Sequence, residues 1–234
     1  GLGGVVFGFV ESSVYGFFNP VVAASVAGGA LFLILFVIAG KKSKSALVPL
    51  GLFRSSTFTG ANIVTFLMYA ALAGSLFFLP FALIQVYGYT ATGAGAAFMP
   101  IILLMFVFSR WSGGLVDRYG ARGPLVIGNM LQAAGYALFA VLGREGPYMW
   151  TFFPGMLLLG AGLALCVAPL TTAVMNAVGS GYSGTASGIN NAVSRVSGLI
   201  SIAVLGIVIL AVFNSGLDAG LDLNGISEEV RIAL

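Results

Sequence analysis

The chain has 234 residues, of which 59% are hydrophobic and only 7% are charged, with a formal net charge of +3. A soluble domain carries about a quarter charged residues, so the composition predicts an integral membrane protein whose partner is the lipid bilayer. The few basic residues lie in short segments rather than along one face, which excludes a nucleic-acid-binding surface.

Six apolar runs are long enough to cross a bilayer as helices, since a helical span needs about 20 apolar residues. In chain order they occupy 20–39, 57–86, 92–110, 124–142, 148–178 and 184–213. The runs do not alternate polar and apolar residues as barrel strands do, so we expect an all-α transmembrane helical bundle. Four prolines inside the runs are expected to kink their helices: Pro80, Pro100, Pro154 and Pro169.

The beginning of the chain has a shorter apolar stretch. The sequence opens on Gly1 rather than methionine, and only ten residues precede Glu11. No basic segment comes before this stretch, as one would in a signal peptide. We therefore expect a truncated helix, and a chain that is a fragment of a longer protein.

Loop charges predict the orientation. Segment 40–56 holds four lysines and arginines and segment 109–123 holds three, whereas the intervening loops hold only Arg144 and loop 179–183 holds none. The positive-inside rule then places the first residues of the chain on the cytoplasmic side. An aromatic belt is expected at the outer interface, from Tyr87, Tyr89, Tyr148 and Trp150.

Charge is concentrated in "SRWSGGLVDRYGARGPL", residues 109–125. Arginines beside a span are an ordinary orientation signal, and the glycines suit a tight turn between two helices. Asp117 is not explained in this way, because a carboxylate contributes little to orientation. It can accept hydrogen bonds at a helix N-terminus or pair with an arginine of a neighbouring helix, and either contact would latch two helix ends in one conformational state.

The last apolar run begins with "GTASGINNAVSRVSGLIS", in which small and polar residues recur every three or four positions. The pattern predicts one stripe on a helix that packs closely on a neighbour: Gly184, Ser187, Asn191, Ser194, Gly198 and Ser201. Arg195 borders this stripe, about 16 Å along the helix. A cation at that depth needs a partner or water, so we favour a cavity or helix interface over snorkelling to the lipid headgroups.

Further polar residues are isolated within the runs, among them Asn62 and Gln132. They suit hydrogen bonds between helices or the lining of a substrate path. The candidates for these two roles are Asn190, Asn191, Ser194, Arg195, Asn62 and Gln132. Cys166 is expected to be a small buried hydrophobe, and the lack of histidine predicts no metal site.

One motif resembles a known family. Glycine, leucine, acid, base, glycine and base at Gly113, Leu115, Asp117, Arg118, Gly120 and Arg122 resemble the cytoplasmic-loop signature of the major facilitator superfamily. Ala121 departs from it where many members carry a further base. Segments 52–95, 154–178 and 184–206 are similar to the fourteen-helix drug:proton antiporters of the EmrB/QacA type.

The resemblance implies the C-terminal half of a major facilitator fold together with its linking helices. Residues 1–46 would be truncated linking helices, 47–213 a bundle of five complete helices, and 214–234 an extracytoplasmic segment before a missing last helix. The motif would gate alternating access in a bacterial inner membrane. A missing N-terminal half would be the partner, small hydrophobic or cationic compounds the substrates, and the proton gradient the energy source, with no cofactor.

No Asp or Glu lies within the six complete runs. The resemblance therefore places the proton-coupling carboxylates in the missing half. An exporter of one metabolite or amino acid remains an alternative. A membrane enzyme would need a catalytic constellation that these residues do not show, and a non-transporting scaffold would not need Arg195.

Overall fold

A computed structural model describes residues 1–16, 19–42, 49–142 and 146–223. This part of the chain is helical and contains no strand, which confirms the predicted all-α bundle. Its helices are α1 (Leu2–Tyr15), α2 (Pro20–Lys42), α3 (Ser56–Gln85), α4 (Ala91–Ala96), α5 (Met99–Tyr119), α6 (Arg122–Leu142), α7 (Tyr148–Thr151), α8 (Phe153–Asn176) and α9 (Ser183–Leu223). Short 3-10 turns, Leu50–Arg54 and Ser180–Tyr182, precede α3 and α9.

Five of the six predicted spans are present at full length in the described residues. They are Ser56–Gln85, Ala91–Phe108, Arg122–Val141, Phe153–Asn176 and Ser183–Leu217. The remaining run forms α2, a helix of 23 residues whose described apolar part, Pro20–Phe36, is shorter than the other five. Among the described residues, five helices are thus long and apolar enough to span a membrane, and the sixth predicted run is helical in α2.

Helix α8 is the centre of the bundle. It packs between α5 and α6 and also contacts α3 and α9, whereas α1 and α2 form a hairpin that reaches α9. Half of the apolar window of α8 is buried, against at most 22% in the other spans. Its buried residues include Met156, Leu163, Cys166 and Leu170, so the predicted burial of the cysteine is confirmed.

Helices α6 and α8 approach each other through glycine. They run antiparallel, and a Cβ added at Gly162 would stand 2.5 Å from the carbonyl oxygen of Gly128. Two turns further along α6, a Cβ at Gly135 would stand 2.9 Å from the carbonyl oxygen of Gly155. Without side chains at these positions the two backbones lie in contact, which maximises van der Waals packing in a membrane.

Two of the four predicted kink points are wrong. Pro100 and Pro154 lie in the first turns of α5 and α8, where a missing backbone N–H leaves no hydrogen bond unmade. The runs 92–110 and 148–178 are accordingly divided, with the short helices α4 and α7 preceding α5 and α8. Pro80 and Pro169 do lie inside helices, in α3 and α8.

Helix α9 is longer than the sequence predicted. It has 41 residues and continues from the expected end at 213 to Leu223. A helix of that length spans about 60 Å, roughly twice the hydrocarbon thickness, so it must tilt or protrude. The first part of segment 214–234 is thus helical, and residues 224–234 lie outside the described part of the chain.

The predicted loop at 109–123 is mostly helix. Helix α5 continues through Tyr119, and α6 begins at Arg122. Only Gly120 and Ala121 form the turn, and Gly120 has φ +71°, a left-handed conformation that glycine adopts without steric cost. The charged segment is therefore the end of one helix and the start of the next.

Candidate functional site

The motif residues occupy both sides of this tight turn. Gly113, Leu115, Asp117 and Arg118 belong to the last two turns of α5, and Arg122 is the first residue of α6. The backbone N–H of Gly120 donates to the carbonyl of Val116 at 2.9 Å and ends α5. The sequence pattern had assigned all six motif residues to a loop, but five of them lie in helices and only Gly120 lies in the turn.

Electrostatics differ between the two ends that meet at the turn. Asp117 lies in the last turn of α5, where the helix dipole is negative, and the positive end of α6 begins five residues later. The side chain of Asp117 lies outside the described part of the structure. The guanidinium carbon of Arg118 is 5.6 Å from the centre of the Tyr119 ring, and Arg118 and Arg122 are both exposed. With Phe108, Trp111 and Leu115, Arg118 lines a cavity of about 440 Å³ beside α8.

A second group of polar residues joins α3 to α9. The side-chain amide of Asn190 donates to the hydroxyl of Thr65 at 2.6 Å and to the amide oxygen of Asn62 at 3.3 Å. Asn62 and Thr65 are buried and donate in turn to the carbonyls of Phe58 and Ala61 in their own helix. The two amide hydrogens of Asn190, one amide hydrogen of Asn62 and the hydroxyl hydrogen of Thr65 therefore all have acceptors within apolar surroundings.

The seam between α3 and α9 continues further along both helices. The Ser201 hydroxyl donates to the carbonyl of Ala70 at 2.6 Å. A Cβ at Gly198 would stand 3.1 Å from that of Ala73, so the helices remain close there. From Asn190 beside Thr65 to Gly206 beside Phe78, the partner numbers rise on both helices, which shows that α3 and α9 run parallel.

A cavity of about 500 Å³ opens beside this seam. Its lining comes from both helices: Tyr69, Leu72, Ala73 and Leu76 of α3, and Asn191, Ser194, Arg195, Gly198, Leu199 and Ile202 of α9. Arg195 and Asn191 are exposed, and the Ser194 hydroxyl donates to the carbonyl of Asn191 at 2.8 Å. Arg195 lies twelve residues from the start of α9, about 18 Å along the helix axis.

The six candidates for a substrate path or helix interface thus separate into three places. Asn62 and Asn190 meet at the α3–α9 seam, and Asn191, Ser194 and Arg195 line the cavity. Gln132 is buried between α6 and α8, where its amide nitrogen lies 3.4 Å from both the Gly128 carbonyl and the Cys166 sulfur. Whether any of them touches a substrate stays a prediction.

Sequence reasoning missed Thr65 and Tyr69. Both lie on the face of α3 that carries Asn62, three and seven residues further along. That spacing is the signal that could have grouped them, since residues three, four and seven apart share one face of a helix.

At the opposite end, aromatic side chains cluster around the start of α8. The Tyr148 hydroxyl donates to the carbonyl of Ala97 at 2.7 Å, and the rings of Tyr87 and Phe152 meet edge to face at 5.0 Å. Burial, and to a lesser degree the neighbouring Tyr89, raises the pKa of Tyr148 above its ordinary range. Three tyrosines pack around Leu83 and Ala94, namely Tyr87, Tyr89 and Tyr148.

Five apolar helices of spanning length, glycine-lined contacts and a charged turn define a multi-pass helical membrane protein. In the part of the chain that the structure describes, no three His, Cys, Asp or Glu side chains come together as metal ligands. The family model of the Major Facilitator Superfamily matches residues 1–202, and the chain belongs to this superfamily of membrane transporters.

Several relatives carry names that refer to drugs. The chain is 28% identical over 208 residues to the tetracenomycin C resistance and export protein of Streptomyces glaucescens, covering 87% of this chain and 38% of that protein. It is 29% identical over 221 residues to the multidrug resistance protein Stp of Mycobacterium tuberculosis, covering 94% and 41%. It is 31% identical over 185 residues to the lincomycin resistance protein of Streptomyces lincolnensis, covering 79% and 38%. The chain therefore spans about two fifths of the length of these relatives.

Proposed function

We propose that this chain forms part of a secondary active transporter that exports small hydrophobic compounds across the inner membrane of a bacterium. The observation that carries the proposal is the cavity between α3 and α9, which places Tyr69, Asn191 and Arg195 beside apolar side chains within two spanning helices. Its volume of about 500 Å³ lies within the range of drug-sized ligand sites. The drug-resistance and export relatives support the same substrate class.

Alternating access gives the motif at the α5–α6 turn its role. A two-residue turn couples the ends of α5 and α6, so a contact of Asp117 made in one state would hold both helices together. Breaking that contact would release them, which is the behaviour required of a latch in a two-state element. In this proposal Gly113, Leu115, Arg118, Gly120 and Arg122 are the other members of the gating motif around Asp117.

Proton coupling is the proposed energy source, without a cofactor. Residues 12–116 and 118–144 contain no Asp or Glu, and neither do residues 146–217. A proton carrier within the bilayer is therefore assigned to sequence that the longer relatives possess and this chain does not span. That sequence is also the proposed partner that completes the path.

Dye efflux tests the proposal directly. The complete reading frame that carries this chain is expressed in a bacterial host lacking its own efflux pumps, and cells are loaded with a neutral hydrophobic fluorescent dye. We expect lower dye retention than in cells with empty vector, and a loss of the difference when a protonophore collapses the proton gradient. Equal retention in both strains would refute export. Efflux that persists without the gradient would refute proton coupling.

A further inference from the structure

Arg195 is a permanent cation in a cavity whose lining, among the described residues, includes no carboxylate. The sequence contains no Asp or Glu between Glu11 and Asp117, between Asp117 and Glu145, or between Glu145 and Asp218, so α3, α6 and α8 have none, whereas α1, which contacts α9, carries Glu11. Within α9 the next carboxylate is Asp218, 23 residues further on and about 35 Å along the helix. Among the described residues, Arg195 is the one charged side chain that lines this cavity. The cavity thus presents a guanidinium without a carboxylate in its described lining, and an anion that enters the cavity can supply the counter-charge.

The cavity that Arg195 lines is polar at one end and apolar at the other. Because α3 and α9 run parallel, with Asn190 beside Thr65 and Ser201 beside Ala70, positions along the two helices can be compared. The polar lining comes first along the helices: Tyr69, Asn191, Ser194 and Arg195. The apolar lining follows: Leu72, Ala73, Leu76, Leu199 and Ile202, with Gly198 beside Ala73.

We propose that this cavity binds amphipathic organic anions, with a carboxylate paired to Arg195 and a hydrophobic ring system against Leu72, Leu76 and Leu199. The inference rests on the proposed function and names its substrate class. A guanidinium presents a planar fork of donors that fits the two oxygens of a carboxylate. The phenol of Tyr69 offers a ring face for stacking and the Asn191 amide offers a further donor.

The same arrangement rejects organic cations. A cationic ligand in this cavity would place a like charge beside Arg195 without a described acid to compensate it, and repulsion is strong where water is scarce. The cationic substrates that the family resemblance implied are therefore not ligands of this cavity.

Three ligands with one ring system test the inference: 2-naphthoate, 2-naphthamide and 2-naphthylmethylammonium. The protein from the complete reading frame is purified into lipid nanodiscs, and the dissociation constants are measured by equilibrium dialysis. We expect the carboxylate to bind about tenfold or more tightly than the amide, as a charge-assisted bidentate pair would produce, and the ammonium to bind most weakly.

Variants assign the preference to the guanidinium. Arg195→Gln should remove the preference for the carboxylate while the amide still binds, which also shows that the variant is folded. Arg195→Lys keeps the charge but loses the fork, so it should retain only part of the preference. Leu199→Ala should weaken carboxylate and amide alike. Val212→Ala, an exposed position on α9 outside the cavity, should change none of the three.

Two results would overturn the inference: equal binding of the three ligands to the unmodified protein, or an undiminished carboxylate preference in Arg195→Gln. Loss of amide binding as well in Arg195→Gln, with Arg195→Lys behaving like the unmodified protein, would also count against it, because any cation would then suffice. Binding is measured without transport. An absence of dye efflux therefore refutes the proposed export and leaves the ligand preference to be judged on its own.

Discussion

The side-chain amide of Asn190 on α9 donates a hydrogen bond of 2.6 Å to the hydroxyl of Thr65 on α3. The two residues are 125 positions apart in the sequence and lie on parallel helices. Thr65 is fully buried, and its hydroxyl donates a second hydrogen bond to the carbonyl of Ala61 at 2.9 Å. This pair aligns the two helices that line the Arg195 cavity.

Replacing Asn190 should loosen this alignment. Asn190→Ala removes the bonds to Thr65 and Asn62, and hydrogen bonds between membrane helices contribute about 0.6 kcal/mol on average and up to about 1.7 kcal/mol. We expect the free energy of unfolding in detergent micelles to fall by an amount in that range. Ser215→Ala is the matched control, because Ser215 is exposed and bonds only to carbonyls of its own helix. Equal effects of the two substitutions would contradict a role for the Asn190–Thr65 bond.

The contact between α6 and α8 predicts opposite outcomes for two glycines of one helix. A Cβ at Gly128 would stand 2.7 Å from the carbonyl oxygen of Gly162, whereas a Cβ at Gly123 meets nothing within 4 Å. Overpacking a close contact costs about 1–3 kcal/mol, so Gly128→Ala should lower the unfolding temperature in detergent. Gly123→Ala should leave it unchanged or raise it slightly, since alanine favours helix. Equal behaviour of the two variants would show that the helices do not touch at Gly128.

Transport should depend on the charge of Asp117. Asp117→Asn keeps the size of the side chain and removes its charge, so the protein should reach the membrane at a normal level while dye efflux falls. Dye efflux by Asp117→Asn is compared with efflux by Arg118→Gln, which removes the charge of an exposed side chain that lies against Tyr119 of the same helix. Unchanged efflux in Asp117→Asn, at matched membrane levels, would make Asp117 an ordinary residue of the turn.

Alkaline pH should weaken the cluster around Tyr148. The raised pKa means that the neutral phenol is favoured in the folded protein, so its contribution to stability is complete below the ordinary pKa of 10.0. That contribution is lost as the pH rises above about 10, through the raised value. Tyr148→Phe removes both the titration and the bond to Ala97, at a cost of about 0.5–1.5 kcal/mol near neutral pH. The stability difference between the two proteins should shrink above pH 10, as measured by denaturant titration. A difference that is constant across this range would contradict the assignment.

Cysteine labelling tests the orientation. With Cys166→Ala as background, Ser43→Cys and Ala121→Cys should react with a membrane-impermeant maleimide only from the cytoplasmic side. Tyr89→Cys should react only from outside, because Tyr89 lies between α3 and α4, at the end of the bundle opposite to Ala121. Reversed labelling would overturn the positive-inside assignment and, with it, the cytoplasmic position of the motif.

Sequence alone identified the class of this protein and most of its spans. Hydrophobic runs are local features, and a membrane helix satisfies its backbone within itself, so span positions can be read without knowing the neighbours. Helix ends were less predictable. At Pro100 and Pro154 a proline that could kink a helix instead begins one, and in the charged segment only Gly120 and Ala121 leave the helix.

The sites depended on packing that no local pattern contains. Helix α9 is apolar on most of its circumference, so the three-and-four spacing from Gly184 to Ser201 did not reveal which side meets α3. In the structure Asn190 enters the seam while the adjacent Asn191 is exposed at the cavity, and Ile189 is buried in a cluster with residues of both α3 and α8. The sequence by itself determined that Arg195 lies deep in a span and that the predicted spans contain no acid. Only the tertiary structure placed Arg195 beside Tyr69 and the leucines of α3, because that placement depends on the rotation and alignment of α3 relative to α9. The close contacts of α9 with Thr65 and Ala73 determine this rotation and alignment.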